Sequence, residues 1–184
     1  MSTIDIATIE EDELVLRAQK GDQLCLAALY ERYYDRVYRF ALTRLGDRTD
    51  SEDLAQEVFL KMVDKLSGYR VRGLPFGAWL FRIAHNAVVD VIRRRSRRPQ
   101  SSMEDLFIAS DVDIEFEVER SITNEELAKA MRRLTPAQQD VLTLRFASGL
   151  SVSDTAKALG KAEGTIKATQ LQALRALRRV MTHR

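Results

Sequence analysis

The feature that most constrains this chain is a helical spacing of apolar residues, broken at intervals by single glycines. Leu54, Val58, Met62 and Leu66, for example, form a row with a period of four residues, and Gly68 follows it. Such a row places apolar side chains on one face of an α-helix. No stretch shows the apolar–polar alternation of a half-buried strand, and only 3 prolines interrupt the 184 residues. The sequence therefore predicts an all-α fold.

Capping residues and glycines set the predicted helix boundaries. Gly46 suits the position that ends a helix, and Asp50 or Ser51 suits the N-cap of the next one. The stretch 135–138 (TPAQ) combines an N-cap, a proline and a capping-box glutamine. The predicted helices cover approximately residues 11–20, 22–45, 51–67, 76–95, 123–134, 136–148, 152–159 and 163–179.

Apolar rows on the third and fourth predicted helices make up much of the predicted core. They comprise Leu54, Val58, Met62 and Leu66; Ala55, Phe59 and Val63; Trp79, Ile83, Ala87 and Val91; and Leu80, Ala84, Val88 and Ile92. We expect the opposite face of the fourth helix, with Arg82, Asn86, Asp90 and Arg93, to be exposed.

The net charge of +2 conceals four blocks of alternating sign. Residues 1–68 carry −5, residues 69–98 carry +7, residues 99–128 carry −8 and residues 129–184 carry +8. Two basic blocks separated by an acidic one predict two surfaces for a polyanion, the alternative being solvated basic helix faces. Pro99 ends the first basic block, and the acidic stretch after it is predicted to be a linker.

Composition excludes several classes of protein. The single cysteine, Cys25, lies in an apolar run and is predicted to be a buried core residue in a reducing compartment. The N-terminal residues do not resemble a signal peptide, and no apolar run is long enough to span a membrane. We therefore expect a cytoplasmic protein. No phosphate loop, metal-ligand spacing or nucleophile–base pair is present, which predicts no enzymatic activity, no cofactor and no metal.

The C-terminal third shows the pattern of a helix-turn-helix. Ser151 and Asp154 form a capping box that opens a short helix, and Gly160 ends it before a longer basic helix. The major groove admits one α-helix, so the short helix would brace the long one while its first turn reaches base edges. A plain helical hairpin with a basic face is the alternative. The candidate DNA contacts are Lys161, Lys167, Thr169, Gln170 and Arg175.

Several long motifs identify a family resemblance. The stretches 29–41 (LYERYYDRVYRFA), 50–62 (DSEDLAQEVFLKM) and 76–90 (FGAWLFRIAHNAVVD) resemble the sigma-two domain of bacterial extracytoplasmic-function, or group IV, sigma factors. The stretches 134–142 (LTPAQQDVL) and 159–168 (LGKAEGTIKA) resemble the sigma-four domain. The resemblance implies a sigma-two-like domain over 1–98, an acidic linker over 99–121 and a sigma-four-like helix-turn-helix domain over 122–184.

The resemblance also implies partners. A sigma factor binds core RNA polymerase through the β′ clamp coiled coil and the β flap, selects promoter DNA, and is commonly held by an anti-sigma factor. Neither a small-molecule substrate nor direct membrane insertion is implied. The acidic linker would thread into the polymerase channels or shield the two basic blocks from each other. Both possibilities remain open on the sequence.

Site residues follow from the same resemblance. Asp53, Gln56 and Glu57 would bind core polymerase, and their polar character in a net-negative block suits a protein interface. The −10 element would be contacted by Tyr69, Arg72, Phe76, Trp79, Arg82, Asn86, Asp90, Arg93, Arg94 and Arg97. Of these, Tyr69 and Phe76 are candidates for stacking on an extruded base. Trp79 is explained at least as well as a core residue. The run 93–98 would hold phosphates. His85 is predicted to be a plain surface residue.

The −35 element would be contacted by Lys161, Glu163, Thr165, Lys167, Thr169, Gln170 and Arg175. The sequence departs from the family pattern in this helix. Ala162 stands where relatives commonly carry a serine N-cap, and Leu171 and Gln172 stand where basic residues are common. Two other functions fit parts of the sequence: a stand-alone helix-turn-helix regulator that needs no core polymerase, and an adaptor that binds protein through the acidic helix.

Overall fold

The computed structural model describes residues 9–97 and 124–182, and within these ranges every regular element is helical. The predicted all-α fold is therefore confirmed. The predicted acidic linker, Arg98 and Thr123, which begins the fifth predicted helix, lie outside the described residues. The helices are α1 (Glu11–Gln19), α2 (Gln23–Leu45), α3 (Arg48–Leu66), α4 (Phe76–Ser96), α5 (Asn124–Arg132), α6 (Pro136–Leu142), α7 (Val152–Leu159) and α8 (Glu163–Thr182), and a π turn (Thr143–Ala147) continues α6.

The N-terminal helices α1–α4 pack around α2, which contacts each of the other three. Leu29, Val37 and Phe40 of α2 are fully buried, and the ring of Phe40 meets that of Phe81 edge-on at a centroid distance of 5.9 Å. Cys25 is also buried, as predicted. Burying such side chains contributes about 1.5–3 kcal/mol each, so this interior supplies most of the driving force for folding.

The predicted apolar rows are largely buried, but two of their members are not. Val63 is 46% exposed and Ile92 is 37% exposed. A helix turns once in 3.6 residues, so a row at intervals of four drifts around the axis and its last members leave the core face. The prediction that these two residues belong to the core was wrong for that reason.

Helix α3 begins earlier than either predicted N-cap. Its N-cap is Asp47, whose side chain accepts a hydrogen bond from the backbone N–H of Asp50 at 2.8 Å. Ser51 lies inside the helix, fully buried, with its hydroxyl donating to the carbonyl of Asp47. Asp47 follows the left-handed Gly46, so a single short turn ends α2 and starts α3.

Helices α6 and α7 begin at their predicted N-caps, and of the two α6 has the full capping box. Thr135 and Gln138 exchange both capping-box hydrogen bonds, and Ser151 accepts from the N–H of Asp154 at 2.9 Å. Gly160, at φ 64°, ends α7 in the left-handed conformation and turns the chain into α8. These features confirm the predicted short helix, glycine turn and long helix.

Helix α6 and the π turn that continues it contribute side chains to three apolar clusters. Val141 packs with Ala156 and Ile166, whereas Leu142 packs with Leu134 and Ala173. Beyond them, Leu144 of the π turn and the nearby Leu150 and Ala158 are buried in the cluster of the N-terminal helices. A π turn inserts an extra residue into the helical ladder and so re-aims the side chains that follow it.

We predict that Asp47→Ala lowers the free energy of unfolding by about 1 kcal/mol, because it removes the acceptor that caps α3. Thr49→Ala is the matched control, since Thr49 is exposed in the first turn of the same helix. Urea denaturation measures both through the transition midpoint. Equal effects of the two substitutions would contradict the assignment of Asp47 as the N-cap.

Candidate polymerase and nucleic-acid interfaces

The outward face of α3 carries the residues predicted to bind a protein. Asp53 and Gln56 are exposed, and Glu57 forms an ion pair with Lys61 at 2.6 Å between Oε1 and Nζ. Their spacing of three and four residues puts them on one side of the helix. The structure therefore brings the three predicted residues together on one accessible surface.

Sequence reasoning missed the apolar centre of this surface. Leu60 is 68% exposed, and it lies three residues after Glu57 and four after Gln56 on the same side of α3. The sequence did indicate that Leu60 is exposed, because it belongs to neither apolar row of its helix. Val63, 46% exposed, follows Leu60 by three residues, so the two side chains form a small exposed apolar patch beside the polar residues.

The exposed face of α4 carries most of the residues predicted to contact −10 DNA. Asn86, Asp90, Arg93, Arg94 and Arg97 are exposed on this helix or at its C-cap. Arg72 is exposed in the loop that precedes the helix. These side chains give the end of α4 a strongly positive surface that suits phosphates.

Arg95 differs from the arginines on either side of it. Its guanidinium donates to the carbonyl of Leu45 at 3.1 Å and forms an ion pair with Asp50. It therefore ties the end of α4 to the α2–α3 junction. Within the run 93–98 that is predicted to hold phosphates, Arg95 is thus engaged with other parts of the protein in this structure.

The aromatic residues of the loop form a cluster and not an open stacking platform. Tyr69 is 7% exposed and Phe76 is fully buried, with 5.7 Å between their ring centroids. Trp79 is partly buried against both rings. In this conformation Tyr69 and Phe76 cannot stack on an extruded base without leaving the core. The core role weighed for Trp79 agrees with its packing.

Tyr69 instead shapes the loop. Its hydroxyl donates to the carbonyl of Leu74 at 2.7 Å, and the side chain of Gln19 donates to the carbonyls of Leu66 and Tyr69 at 2.8 and 2.7 Å. Burial, and to a lesser degree the nearby Asp12 and Glu11, raise the pKa of Tyr69 to about 12. The loop that carries Arg72 is thus fixed to α1 and α3 by neutral hydrogen bonds.

Two predicted residues of α4 meet the C-terminal helices. Arg82, although exposed in part, donates to the carbonyls of Lys157 and Ala158 in α7. His85 is half-buried, with its Nε2 3.1 Å from Asp140 of α6. The prediction that His85 is a plain surface residue was wrong, because α6 covers it.

The helix-turn-helix presents its predicted contacts on α8 and the turn before it. Five of the seven predicted −35 residues are exposed: Lys161, Glu163, Thr165, Lys167 and Arg175. Thr169 and Gln170 are half-buried, and Gln170 accepts a hydrogen bond from Arg145 Nε at 3.0 Å. Ile166, fully buried, anchors the same helix on α6 and α7. The first turn of α8 is thus the accessible part.

The unusual Ala162 has a simple structural role. Its carbonyl accepts from the N–H groups of Thr165 and Ile166 at 3.0 and 3.2 Å. Its methyl group cannot accept a capping hydrogen bond, so N–H groups of the first turn remain available to a phosphate oxygen. Leu171, 50% exposed, departs from the expected basic character further along the helix.

Searches for other kinds of site gave no candidates. The described residues contain no group of three histidine, cysteine, aspartate or glutamate side chains placed to hold a metal ion. None of the described helices is long and apolar enough to cross a membrane.

Two family models match the chain that carries these surfaces. The model of Sigma-70 region 2 matches residues 29–98, and the model of Sigma-70 region 4 matches residues 124–177. The sigma factor SigD of Mycobacterium tuberculosis is 31% identical over 175 residues, which cover 91% of this chain and 82% of SigD. The chain belongs to the ECF RNA polymerase sigma factors. The resemblance predicted from the sequence motifs is confirmed.

Other members of the ECF sigma factors agree with this assignment. BldN of Streptomyces coelicolor is 40% identical over 171 residues, and the match covers 92% of this chain and 65% of BldN. The chain thus spans a little under two thirds of the length of that relative. SigX of Bacillus subtilis is 29% identical over 163 residues, covering 83% of this chain and 81% of SigX.

Two solved structures share the fold. CnrH, solved in complex with the cytosolic domain of CnrY, has a TM-score of 0.74 at 21% identity and covers 93% of this chain and 96% of its own. RpoE of Bartonella quintana, solved with the anti-sigma factor NepR, has a TM-score of 0.67 at 29% identity, covering 86% of this chain and 98% of its own. The helical arrangement is therefore shared with CnrH and with the sigma factor RpoE.

We predict that Tyr69 ionises only well above the ordinary tyrosine pKa of 10.0. Since folding raises this pKa to about 12, the protonated hydroxyl stabilises the fold fully below about pH 10, and this stabilisation is lost as the pH rises toward about 12. Spectrophotometric titration of tyrosinate in the protein and in Tyr69→Phe measures the difference. A difference signal with its midpoint near pH 10 would contradict the buried, hydrogen-bonded position.

Proposed function

We propose that this ECF sigma factor binds core RNA polymerase, directs it to specific promoters and helps to open the −10 region. The observation that carries the proposal is the separation of an acidic surface with an apolar centre on α3 from basic surfaces on α4 and α8. A protein partner suits the first surface, and a polyanion suits the other two. A catalytic role is not part of this function, since sigma factors are non-enzymatic subunits.

The three surfaces receive separate roles in this proposal. Asp53, Gln56 and Glu57, with Leu60 at their centre, contact the β′ clamp coiled coil. The exposed residues of α4 and its loop contact −10 DNA, Arg94 and Arg97 through phosphates. The first turn of α8 contacts −35 DNA, and the β flap binds the helices that carry it. The domains extend over 1–98 and 122–184 with the linker between them.

An anti-sigma factor is a further proposed partner. The solved complex of the sigma factor RpoE with the anti-sigma factor NepR supports it, and CnrH, which shares the fold, is likewise solved with a second protein, CnrY. A cytoplasmic location follows from the proposed binding to RNA polymerase. The stand-alone regulator is the weaker alternative, since it gives no role to the region 2 match over residues 29–98.

Transcription with purified core polymerase tests the proposal directly. Core enzyme is combined with the full chain on fragmented genomic DNA, and the 5′ ends of the transcripts are sequenced. We expect starts that share two sequence elements upstream and that are absent with core enzyme alone. If the chain binds DNA but yields no specific starts, the stand-alone regulator is supported instead.

Charge reversal on α3 should separate polymerase binding from DNA binding. We predict that Asp53→Lys combined with Glu57→Lys lowers the affinity for core polymerase at least tenfold, because like charges then face the partner. Asp35→Lys is the control for each charge change, since Asp35 is an exposed carboxylate on α2. Calorimetry measures the binding of each variant to core enzyme. An equal loss of −35 DNA binding by the double variant would count against the assignment of Asp53 and Glu57 to polymerase binding.

Adjacent arginines at the end of α4 should differ in their effect on DNA binding. We predict that Arg94→Gln and Arg97→Gln each weaken holoenzyme binding across promoter sequences and lower the salt slope by about one. Arg95→Gln should leave the slope unchanged, because Arg95 is engaged by Leu45 and Asp50. Binding is measured over a series of salt concentrations. A change in −10 base preference would show that Arg94 or Arg97 reads sequence.

A further inference from the structure

Ser96 is the last residue of α4 and stands within a run of arginines. Arg93, Arg94 and Arg95 precede it, and Arg97 follows it. The residue is exposed, and its hydroxyl donates a hydrogen bond to the carbonyl of Arg93 at 2.9 Å. The proposed −10 surface uses arginines of this run but gives no role to the hydroxyl. A potential nucleophile therefore lies at the surface in a strongly basic stretch.

Exposure distinguishes Ser96 from the other serines that follow an arginine. Within the ranges 9–97 and 124–182, the serines with an arginine three residues before them are Ser51, Ser96 and Ser148. Ser51 is fully buried and Ser148 is 1% exposed, so neither hydroxyl can enter the cleft of an enzyme. Ser96 is exposed and also has arginine at all three preceding positions. The structure thus reduces three candidates in the sequence to one.

The position of Ser96 at a helix end lets the backbone around it open. The last four carbonyls of an α-helix have no intrahelical partner, so the final turn unwinds easily. Arg97, the C-cap, already donates its backbone N–H to the carbonyl of Arg95, outside the helical ladder. The Arg95–Asp50 ion pair joins side chains that are 39% and 48% exposed, and such pairs are weak. An enzyme can therefore bind this turn in an extended form without unfolding the domain.

Arginines that precede a serine can be recognised by their charge and shape. A guanidinium binds a carboxylate through two parallel hydrogen bonds, so a kinase with carboxylates in its peptide cleft would select this stretch. In the transfer, the Ser96 oxygen bonds to the γ-phosphorus of ATP, and the bond from that phosphorus to the bridging oxygen breaks. ADP leaves, and the hydroxyl proton passes to a carboxylate of the kinase.

We propose that Ser96 is a phosphorylation site for an arginine-directed serine kinase, and that its phosphate weakens DNA binding by the basic end of α4 (Arg93, Arg94 and Arg97). The inference rests on the proposed function, because the basic end of α4 matters only if it holds promoter phosphates. It adds a regulation of that surface by a reaction that needs no change elsewhere in the chain.

A phosphate at this position competes with DNA for the same side chains. It carries a charge of about −1.5 to −2 at pH 7. Arg93 lies one turn before Ser96 on the same side of the helix, and Arg97 follows directly, so both guanidinium groups can reach it. The esterified oxygen no longer donates to the carbonyl of Arg93, and the helix dipole disfavours a negative charge at this end. The last turn of α4 is thereby weakened while its arginines are neutralised.

Phosphate incorporation tests the site itself. The full chain is incubated with magnesium ATP and a serine kinase selected on peptides that have arginine at the second and third positions before the serine. Cleavage after acidic residues then releases residues 91–104 as one peptide, and its fragment masses locate the phosphate. We expect stoichiometric phosphate on Ser96 and a loss of this product in Ser96→Ala.

Ser67 is the matched comparison for the kinase reaction. It is exposed and is the C-cap of α3, but the residues before it are 64–66 (DKL) and include no arginine. We expect no phosphate on Ser67. Phosphate on Ser67 as readily as on Ser96, or phosphate on Ser101 or Ser102 in place of Ser96, would overturn the assignment of the site.

Holoenzyme binding to promoter DNA over a series of salt concentrations tests the consequence. Phosphorylation should lower the salt slope by about two and weaken binding by more than about tenfold in about 0.1 M salt, because about two arginine–phosphate contacts are lost. Ser96→Glu, with a single charge, should lower the slope by about one, and Ser96→Ala should leave it unchanged. An unchanged slope for the phosphorylated chain would overturn the inference.

Ser67→Glu is the matched control for the added charge. It places the same carboxylate at another exposed helix end, about 25 Å along α3 from Asp50, the partner of Arg95. We expect an unchanged salt slope for this variant. A reduction equal to that of Ser96→Glu would show a general effect of negative charge and would count against a specific role of Ser96. Circular dichroism checks that both variants keep their helix content.

Transcription with core enzyme separates this inference from the proposed function. The unmodified chain tests the proposed function without any kinase, and phosphorylation should reduce the specific starts that it gives. If the phosphorylated chain gives as many specific starts as the unmodified one, only the regulatory role of Ser96 fails. If neither form gives specific starts, the proposed function fails, and the regulatory role fails with it.

Discussion

Helix α2 is the element on which the rest of the structure depends. Its apolar stripe contacts α1, α3 and α4, and its outer edge contacts the π turn of the C-terminal part. A helix of 23 residues with fully buried Leu29, Val37 and Phe40 cannot shift without disturbing every neighbour. The outward surfaces of α3 and α4 are thereby held in a fixed relation to each other, which the proposed binding of polymerase to one and DNA to the other requires.

Much of the fold follows from local chemistry and could be predicted. Gly46 ends α2, Thr135 and Gln138 cap α6, and Gly160 forms the turn before α8, as their residue types indicate. The N-cap of α3 was misplaced because Asp47, Asp50 and Ser51 are all good capping residues, and only the packing of Ser51 against the core distinguishes them. The choice depends on tertiary contacts that the local sequence does not contain.

In the candidate surfaces, too, some residues could be placed from the sequence and others could not. Exposed charges on α3, α4 and α8 could be placed from helical periodicity, because an exposed face needs no partner. The aromatic loop and His85 could not, since their burial depends on residues distant in sequence, such as Gln19 and Asp140. Likewise, nothing in the run 93–98 distinguishes Arg95 from its neighbours until Asp50 is seen beside it. Long-range pairing, which composition does not reveal, decides which charged side chains are engaged within the protein.

The π turn has a consequence for how this protein can change over evolutionary time. One continuous helical stretch supplies Val141 and Leu142 to the interior of the helix-turn-helix and Leu144 to the contact with the N-terminal helices. Deleting a single residue between 143 and 147 would restore α-helical phase and rotate the following side chains by about 100°. Val141 and Leu142 precede the deletion and would keep their orientation, whereas Leu144 would be turned away from the N-terminal helices. Small insertions and deletions in these five residues would therefore change which side chains face the N-terminal helices.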